Sequence, residues 1–468
     1  MSRFSLIYIG IFSFIISILS FLNIIYSNYF NLYLNIDSYV YSLIFSIILG
    51  TLFLFKKKDQ KKISIYEKII IVISGYLILP LLISIPYYFS IYNITFLNAY
   101  FESVSGFTST GFSVFENIKH LDESLIIWRS SSQWVGGLYF LFSIILLIDI
   151  FDENLKKSLT NFLSFNTSEV FKQSTKILIL YSIITFVIFL ILEILNVRSF
   201  NSFNLSLTLI SSGGFLPTNN LENIIDTKIK EIILSFLMLS SFFSLFLSYN
   251  LFFFKKKNYN FFQEDFYLLI YLCFLVVLFF LLFNLNYNFS VIFLSICSSI
   301  SNIGFSVSES YNNISFLYLI LTIIGGSFFS TSSGIRFVKL YSLFKFSINE
   351  LISHVKPMNV YINKLNFSNS IFEIKDINNF FITVLIFIFS IFFLSSLLTM
   401  SGINIEQSFT LSILTIMNTV NSNIHGLNDF NFDELHYFTK YSLMFFMIIG
   451  RIELLTILII MKKFLFKS

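Results

Sequence analysis

Ser105-Gly106-Phe107-Thr108-Ser109-Thr110-Gly111-Phe112, Ser211-Ser212-Gly213-Gly214-Phe215, Ser301-Asn302-Ile303-Gly304-Phe305 and Ser422-Asn423-Ile424-His425-Gly426-Leu427 each interrupt sequence apolar enough to lie in a bilayer. The hydrocarbon core offers no water to irregular backbone, which persists there only when buried in protein or lining a water-filled path. One such break reads as a kink. Four of them, each between apolar spans, read as a ring of loops whose carbonyls face a common axis.

Of the 468 residues, 56% are hydrophobic and 12% charged, about half the charge of a soluble domain. Apolar spans fall at 4–26, 38–55, 66–90, 124–150, 174–197, 228–254, 266–287, 314–345, 376–400 and 437–461. The segments before the breaks, near 97–107, 202–212, 290–301 and 405–420, are too short to cross and read as re-entrant helices. The expected fold is an all-α polytopic membrane protein with ten transmembrane helices. Four pseudo-repeated helix–pore-loop–helix units (63–157, 158–257, 258–350 and 351–468) surround one central pore and follow two extra helices (1–62).

Lys56, Lys57, Lys58, Lys61 and Lys62 follow span two; Lys156 and Lys157 follow span four; Lys255, Lys256 and Lys257 follow span six. Arg336, Lys339 and Lys345 end span eight, and Lys462 and Lys463 end span ten. With both termini cytoplasmic, every cluster obeys the positive-inside rule. The opposite side carries Asp37, Glu116, Asp122, Glu123, Glu222, Asp226, Glu309, Asp429, Asp433 and Glu434, read as an acidic vestibule that concentrates cations.

The two cysteines, Cys273 and Cys297, read as buried thiols, and the four histidines lack metal-ligand spacing. No P-loop or dinucleotide fingerprint is present, so nucleotide control would come from another chain. Trp128 and Trp134 suit an interfacial belt. Glu102 suits the N-terminal dipole of a short helix.

Phe101 to Gly111 and Trp128-Arg129-Ser130-Ser131-Ser132-Gln133-Trp134-Val135-Gly136-Gly137 resemble the first pore loop and following helix of the Trk/Ktr/HKT potassium transporters, specifically the TrkH-type membrane subunit. Gly325-Gly326-Ser327 through Thr331-Ser332-Ser333-Gly334-Ile335-Arg336 resembles that family's intramembrane loop, and Gly450-Arg451-Ile452-Glu453-Leu454-Leu455-Thr456 its last-helix motif. The resemblance implies a filter with one glycine per repeat at Gly111, Gly214 and Gly304, flanked by Thr110, Gly213 and Ile303, and K⁺ held at Thr110, Gly111, Gly214 and Gly304.

The fourth segment departs from the family pattern. Either Gly426 serves after a one-residue deletion, or His425 occupies the glycine position beside Ile424. The second case would allow pH sensitivity. Gly325, Gly326, Ser327, Thr331, Ser332, Ser333 and Gly334 would form a gate below the filter, with Phe328 and Phe329 as a hydrophobic plug. Arg451, 14 residues into the last span, is roughly 20 Å deep and should face water or a partner; the resemblance implies that it sits beneath the filter and opposes cation passage.

The resemblance further implies gated potassium uptake across the plasma membrane with K⁺ as cargo and no cofactor. The partners it implies are a second copy of the chain, a cytoplasmic nucleotide-binding regulatory ring and membrane lipids, with no nucleic acid. A Na⁺- or H⁺-coupled symporter is the alternative and would need a midplane carboxylate, for which Glu193 is the candidate. An enzyme would need an acid/base or metal cluster, and the sequence displays none.

Overall fold

The computed structural model describes residues 6–54, 65–151, 170–245, 247, 263–282, 288–307, 314–355, 365–367, 370–372, 374–427 and 430–452. Among them, the α-helices are α1 (Ile7–Tyr29), α2 (Ile36–Leu54), α3 (Ile65–Tyr88), α4 (Phe96–Phe107), α5 (Glu123–Phe151), α6 (Val170–Ile194), α7 (Ser199–Ile210) and α8 (Lys228–Phe242). They continue with α9 (Gln263–Leu282), α10 (Phe289–Ile300), α11 (Ser315–Ile323), α12 (Phe337–Val355), α13 (Ile374–Met400), α14 (Ile405–Ile416) and α15 (Tyr437–Ile452). This is an all-α polytopic membrane protein.

Seven of the described helices are long and apolar enough to cross a bilayer: α1, α2, α3, α5, α6, α9 and α13. The other three expected spans correspond to α8, to α11 and α12 on either side of a break, and to α15. The lysine clusters at 56–62, 156–157, 255–257 and 462–463, and Glu453, Glu309 and Asp429, lie outside the described residues.

Helix α5 forms the centre of the first half and is 94% buried over its apolar window. Its Tyr139 hydroxyl donates to the carbonyls of Ile71 and Val72 on α3, each at 3.1 Å. Trp128, expected at a membrane interface, is instead buried, and its indole donates to Ile83 O at 3.0 Å. Trp134 donates to Thr185 Oγ1 on α6 at 3.1 Å. Both indoles pin neighbouring helices, because a buried N–H needs an acceptor. Cys297 is buried as expected; Cys273 is exposed on its helix surface.

Two expected spans are interrupted for one reason. The eighth leaves helical geometry at Ile324, and its two limbs meet as a short parallel pair, β1 (Ile324–Gly325) and β2 (Ile335–Arg336). The residues between them cross to α8 and take up its free carbonyls: Ser332 N donates to Ser241 O, and Ser327 N to Phe242 O, each at 3.0 Å. The sixth span was expected to run to 254, yet α8 stops at Phe242 and Phe243 is extended. Leu245 N then donates to Phe329 O at 3.1 Å. A Cβ at Gly326 would lie 2.2 Å from Phe242 O, so only glycine lets the two backbones meet.

A ring of four loops above a two-arginine latch

Each short helix, α4, α7, α10 and α14, is 12 residues long and ends in the same backbone turn. Two residues past each end the chain turns left-handed, at Ser109 (φ 58°), Ser212 (56°), Asn302 (58°) and Asn418 (49°). Serine and asparagine occupy these positions because a small polar side chain tolerates that region better than most. The following amides donate back to the helix at Ser105 O, Thr208 O, Ser298 O and Leu414 O, over 2.8–3.1 Å.

The left-handed residues also tie loop to loop. Ser212 Oγ donates to Ser301 O at 2.5 Å, Asn302 Nδ2 to Thr419 Oγ1 at 3.1 Å, and Asn418 Nδ2 to Thr110 Oγ1 at 3.0 Å. Phe215 N reaches Gln133 Oε1 on α5 at 3.3 Å, joining the second loop to the first unit. The loops therefore follow one another around a ring, the second facing the fourth. The helix C-termini behind them supply partial negative charge toward the centre.

This equivalence places Gly111, Gly214, Gly304 and Val420 at matching positions. Gly111 and Gly304 take φ of 83° and 81°. Thr110, Gly213 and Ile303 precede the three glycines as expected, and Thr419 precedes Val420. The expectation for the fourth segment is corrected by this geometry: Ile424, His425 and Gly426 lie past the ring. Asn423–His425 forms a short 3-10 turn capped by Gly426 at φ 73°. His425 is buried, with Nδ1 3.4 Å from Ser422 Oγ, and does not open into the vestibule. Gly426 faces Ser315 rather than the ring. The missed signal was the motif Ser/Asn-x-Gly, which the fourth loop carries as Asn418-Thr419-Val420 without its glycine.

The ring forms the floor of a cavity of about 610 Å³, lined by Gly111, Gly214, Gly304, Val420, Glu116 and Arg129 among others. Of the acidic residues expected there, only Glu116 lines this cavity among the described residues. Glu123 pairs with Arg198 at 2.6 Å, Asp226 with Lys230 at 2.7 Å, and Asp122 accepts from Asn35 at 2.5 Å. Asp433 accepts from Asn98 Nδ2.

Glu102 sits in the second half of α4, beyond reach of the N-terminal dipole expected to explain it. Its Oε1 takes Arg129 Nε at 2.8 Å and its Oε2 takes Val114 N at 2.9 Å. Arg129 also donates to Ser113 Oγ at 2.9 Å and lies 4.2 Å from the centre of the Phe215 ring. One buried ion pair thus braces the exits of the first and second loops.

Beneath the ring lies the broken span. Thr331 Oγ1 donates to Ile210 O at 2.7 Å, and Ser333 Oγ is 3.4 Å from Asn418 Oδ1. Ser332 Oγ accepts from Gly326 N at 3.0 Å. Arg451 is 2% exposed and donates through Nη1 to Thr331 O (2.8 Å) and Ser333 Oγ (2.6 Å), and through Nη2 to Ser211 O (3.3 Å).

Arg336 was expected to end span eight on the cytoplasmic side and to close the intramembrane loop motif. It is buried, and its Nη1 donates to Ser327 O, Ser330 Oγ and Ser332 O within 3.0–3.1 Å. Both guanidinium groups flank the Phe140 ring, at 5.2 Å for Arg336 and 4.4 Å for Arg451. The Phe328 and Phe329 side chains are buried in the core. Phe328 N donates to Glu264 Oε1 at 3.0 Å, and the Phe329 carbonyl serves Leu245. From the break, Thr331 reaches Ile210 O and Ser333 reaches Asn418, and Arg451 ties both to Ser211.

Glu193, the midplane candidate for ion coupling, lies at the end of α6 and accepts from Ser199 Oγ at 3.3 Å. Among the described residues no cluster of histidine, cysteine, aspartate or glutamate could hold a metal ion.

A family model described as "TrkH: Cation transport protein" matches residues 36–294. An uncharacterized cation transporter of Methanocaldococcus jannaschii is 24% identical over 82% of this chain and 79% of its own. The Trk system potassium uptake protein TrkH of Escherichia coli K12 is 23% identical over 86% of each chain. TrkG of the same strain is 23% identical over 91% of this chain and 90% of its own. The crystal structure of the potassium transporter TrkH from Vibrio parahaemolyticus superposes with a TM-score of 0.81 over 98% of both chains, at 18% identity.

Proposed function

We infer, from a chain that belongs to the TrkH family of cation transport proteins, that this protein carries potassium into the cell through the centre of its loop ring. The family consists of membrane transport proteins rather than enzymes. The reading is carried by one observation: four loops of matching backbone converge on Gly111, Gly214, Gly304 and Val420 at the floor of a single cavity. Potassium as cargo is supported by the similar proteins of Escherichia coli, named as potassium uptake proteins.

In this reading a monovalent cation sheds water against the carbonyls of Thr110, Gly111, Gly213, Gly214, Ile303, Gly304 and the Thr419–Val420 segment. Dipole and carbonyl oxygens replace its hydration shell, so no titratable side chain is needed at the ring. Below it, the break from Gly325 to Gly334 is the gate. Arg451 latches that gate through Thr331 and Ser333 and places positive charge on the exit. The four repeats at 63–157, 158–257, 258–350 and 351–468 each contribute one loop. A plasma-membrane location with both termini cytoplasmic follows from the same reading. So do a second copy and a cytoplasmic nucleotide-binding ring as partners, the latter supported by the "Trk system" wording of the relatives' names.

The test is cation uptake into proteoliposomes at an imposed voltage, with K⁺ and Na⁺ measured separately. Voltage-following uptake that favours K⁺ supports the reading. Absence of uptake of either ion by folded protein, with the gate released by Arg451→Ala, refutes it.

A further inference from the structure

The ring has three glycines and one side chain. A Cβ placed on Gly214 would lie 2.4 Å from the Val420 Cβ and 3.1 Å from each of its γ carbons. A Cβ on Gly111 would lie 3.1 Å from the same Val420 Cβ, and one on Gly304 would lie 2.8 Å from a Val420 γ carbon. Gly214 belongs to the loop facing Val420, so the isopropyl group extends across the ring toward the opposite loop and meets all three glycines.

A β-branched side chain has few χ1 positions. The preceding Thr419 is tied to Asn302, and Asn418 to Thr110. Resting on the conduction reading above, we propose that Val420 is the throughput-limiting residue of the pore. Its bulk fills the space that a fourth glycine would leave open, and a dehydrated monovalent cation passes only when that side chain is displaced.

The test compares wild type, Val420→Gly, Val420→Ala and Val420→Thr in proteoliposomes at matched protein, each first shown monodisperse by gel filtration, with K⁺ uptake read at an imposed voltage. Uptake should rise by about tenfold in Val420→Gly and by less in Val420→Ala. Threonine keeps the branching and bulk of valine and adds a hydroxyl, so if bulk alone sets the rate Val420→Thr should stay within about twofold of wild type.

Uptake in Val420→Gly equal to that of a conducting wild type overturns the proposal and leaves the conduction reading standing. Uptake in Val420→Thr as high as in Val420→Gly overturns bulk as the cause. No uptake in any folded variant, each also carrying Arg451→Ala to release the gate, overturns the conduction reading and the proposal together. If Val420→Gly does not fold, Val420→Ala decides alone: increased uptake upholds the proposal and unchanged uptake overturns it.

Discussion

Asn418 and Thr110 are 308 positions apart, yet Asn418 Nδ2 donates to Thr110 Oγ1 at 3.0 Å and closes the ring between its last loop and its first. The same amide nitrogen donates to Met447 O on α15 at 2.9 Å. Asn418→Ala removes both buried hydrogen bonds at once, at a net cost of about 0.5–1.5 kcal/mol each. The expected result is a lower unfolding midpoint in detergent and a loss of K⁺ preference over Na⁺, measured on the same preparation. An unchanged ion ratio would separate the tie from the filter.

Arg451 holds the break by its bonds to Thr331 and Ser333. Arg451→Ala should raise cation uptake measured without a cytoplasmic partner by about tenfold, because the latch and the opposing charge leave together. Arg451→Lys keeps the charge but lacks the fork that spans two acceptors, so its uptake should fall between the two.

Gly214 and Val420 compete for one space. Gly214→Ala alone should abolish uptake, since its methyl would lie 2.4 Å from the Val420 Cβ. Adding Val420→Gly should restore uptake at least in part, a non-additivity that residues in contact display. Equal uptake in the single and double variants would show that the two side chains never meet.

The buried pair of Glu102 and Arg129 braces the first two loop exits. Glu102→Ala leaves a buried guanidinium without its counter-charge, which costs about 3–5 kcal/mol. Thermal unfolding should show a large downward shift, with Glu102→Gln losing less because it still accepts a hydrogen bond.

Burial pushes the His425 imidazole down to about 4 from its ordinary 6.5, with the Val420 backbone acting in the opposite direction. A histidine held low is neutral in the fold and takes its proton first in the unfolded chain. Its contribution to stability is therefore intact above about pH 6.5 and lost as the pH falls toward 4. His425→Gln should flatten that acid-side loss in a series of unfolding midpoints, and should leave the pH profile of uptake between 6.5 and 8.5 unchanged.

Much of the architecture was legible because its signals are local. The short helices expected near 97–107, 202–212 and 290–301 form at 96–107, 199–210 and 289–300, since a brief apolar run ending in Ser and Gly can neither span nor continue. The fourth loop was not legible through its glycine, because the shared feature is the left-handed residue two places past the helix. Asn418 supplies that feature without a glycine after it. Arg336 misled for a related reason: a cation closing an apolar run resembles a span end, and only the fold of the break reveals carbonyls waiting for it. Glu102 and Arg129 are 27 positions apart, a pairing that no helical spacing announces.

The pairing of Ile324 with Ile335 and of Gly325 with Arg336 fastens the two feet of the broken span together. A loop with joined feet cannot lengthen by parting them. Its crown is geared on one side to Ser241, Phe242 and Leu245 of the second repeat and on the other to Arg451 of the fourth. If the break is the gate proposed above, a movement that clears it must strain the bonds to both sides at once, so a push on the sixth span and a push on the tenth are two handles on a single shaft.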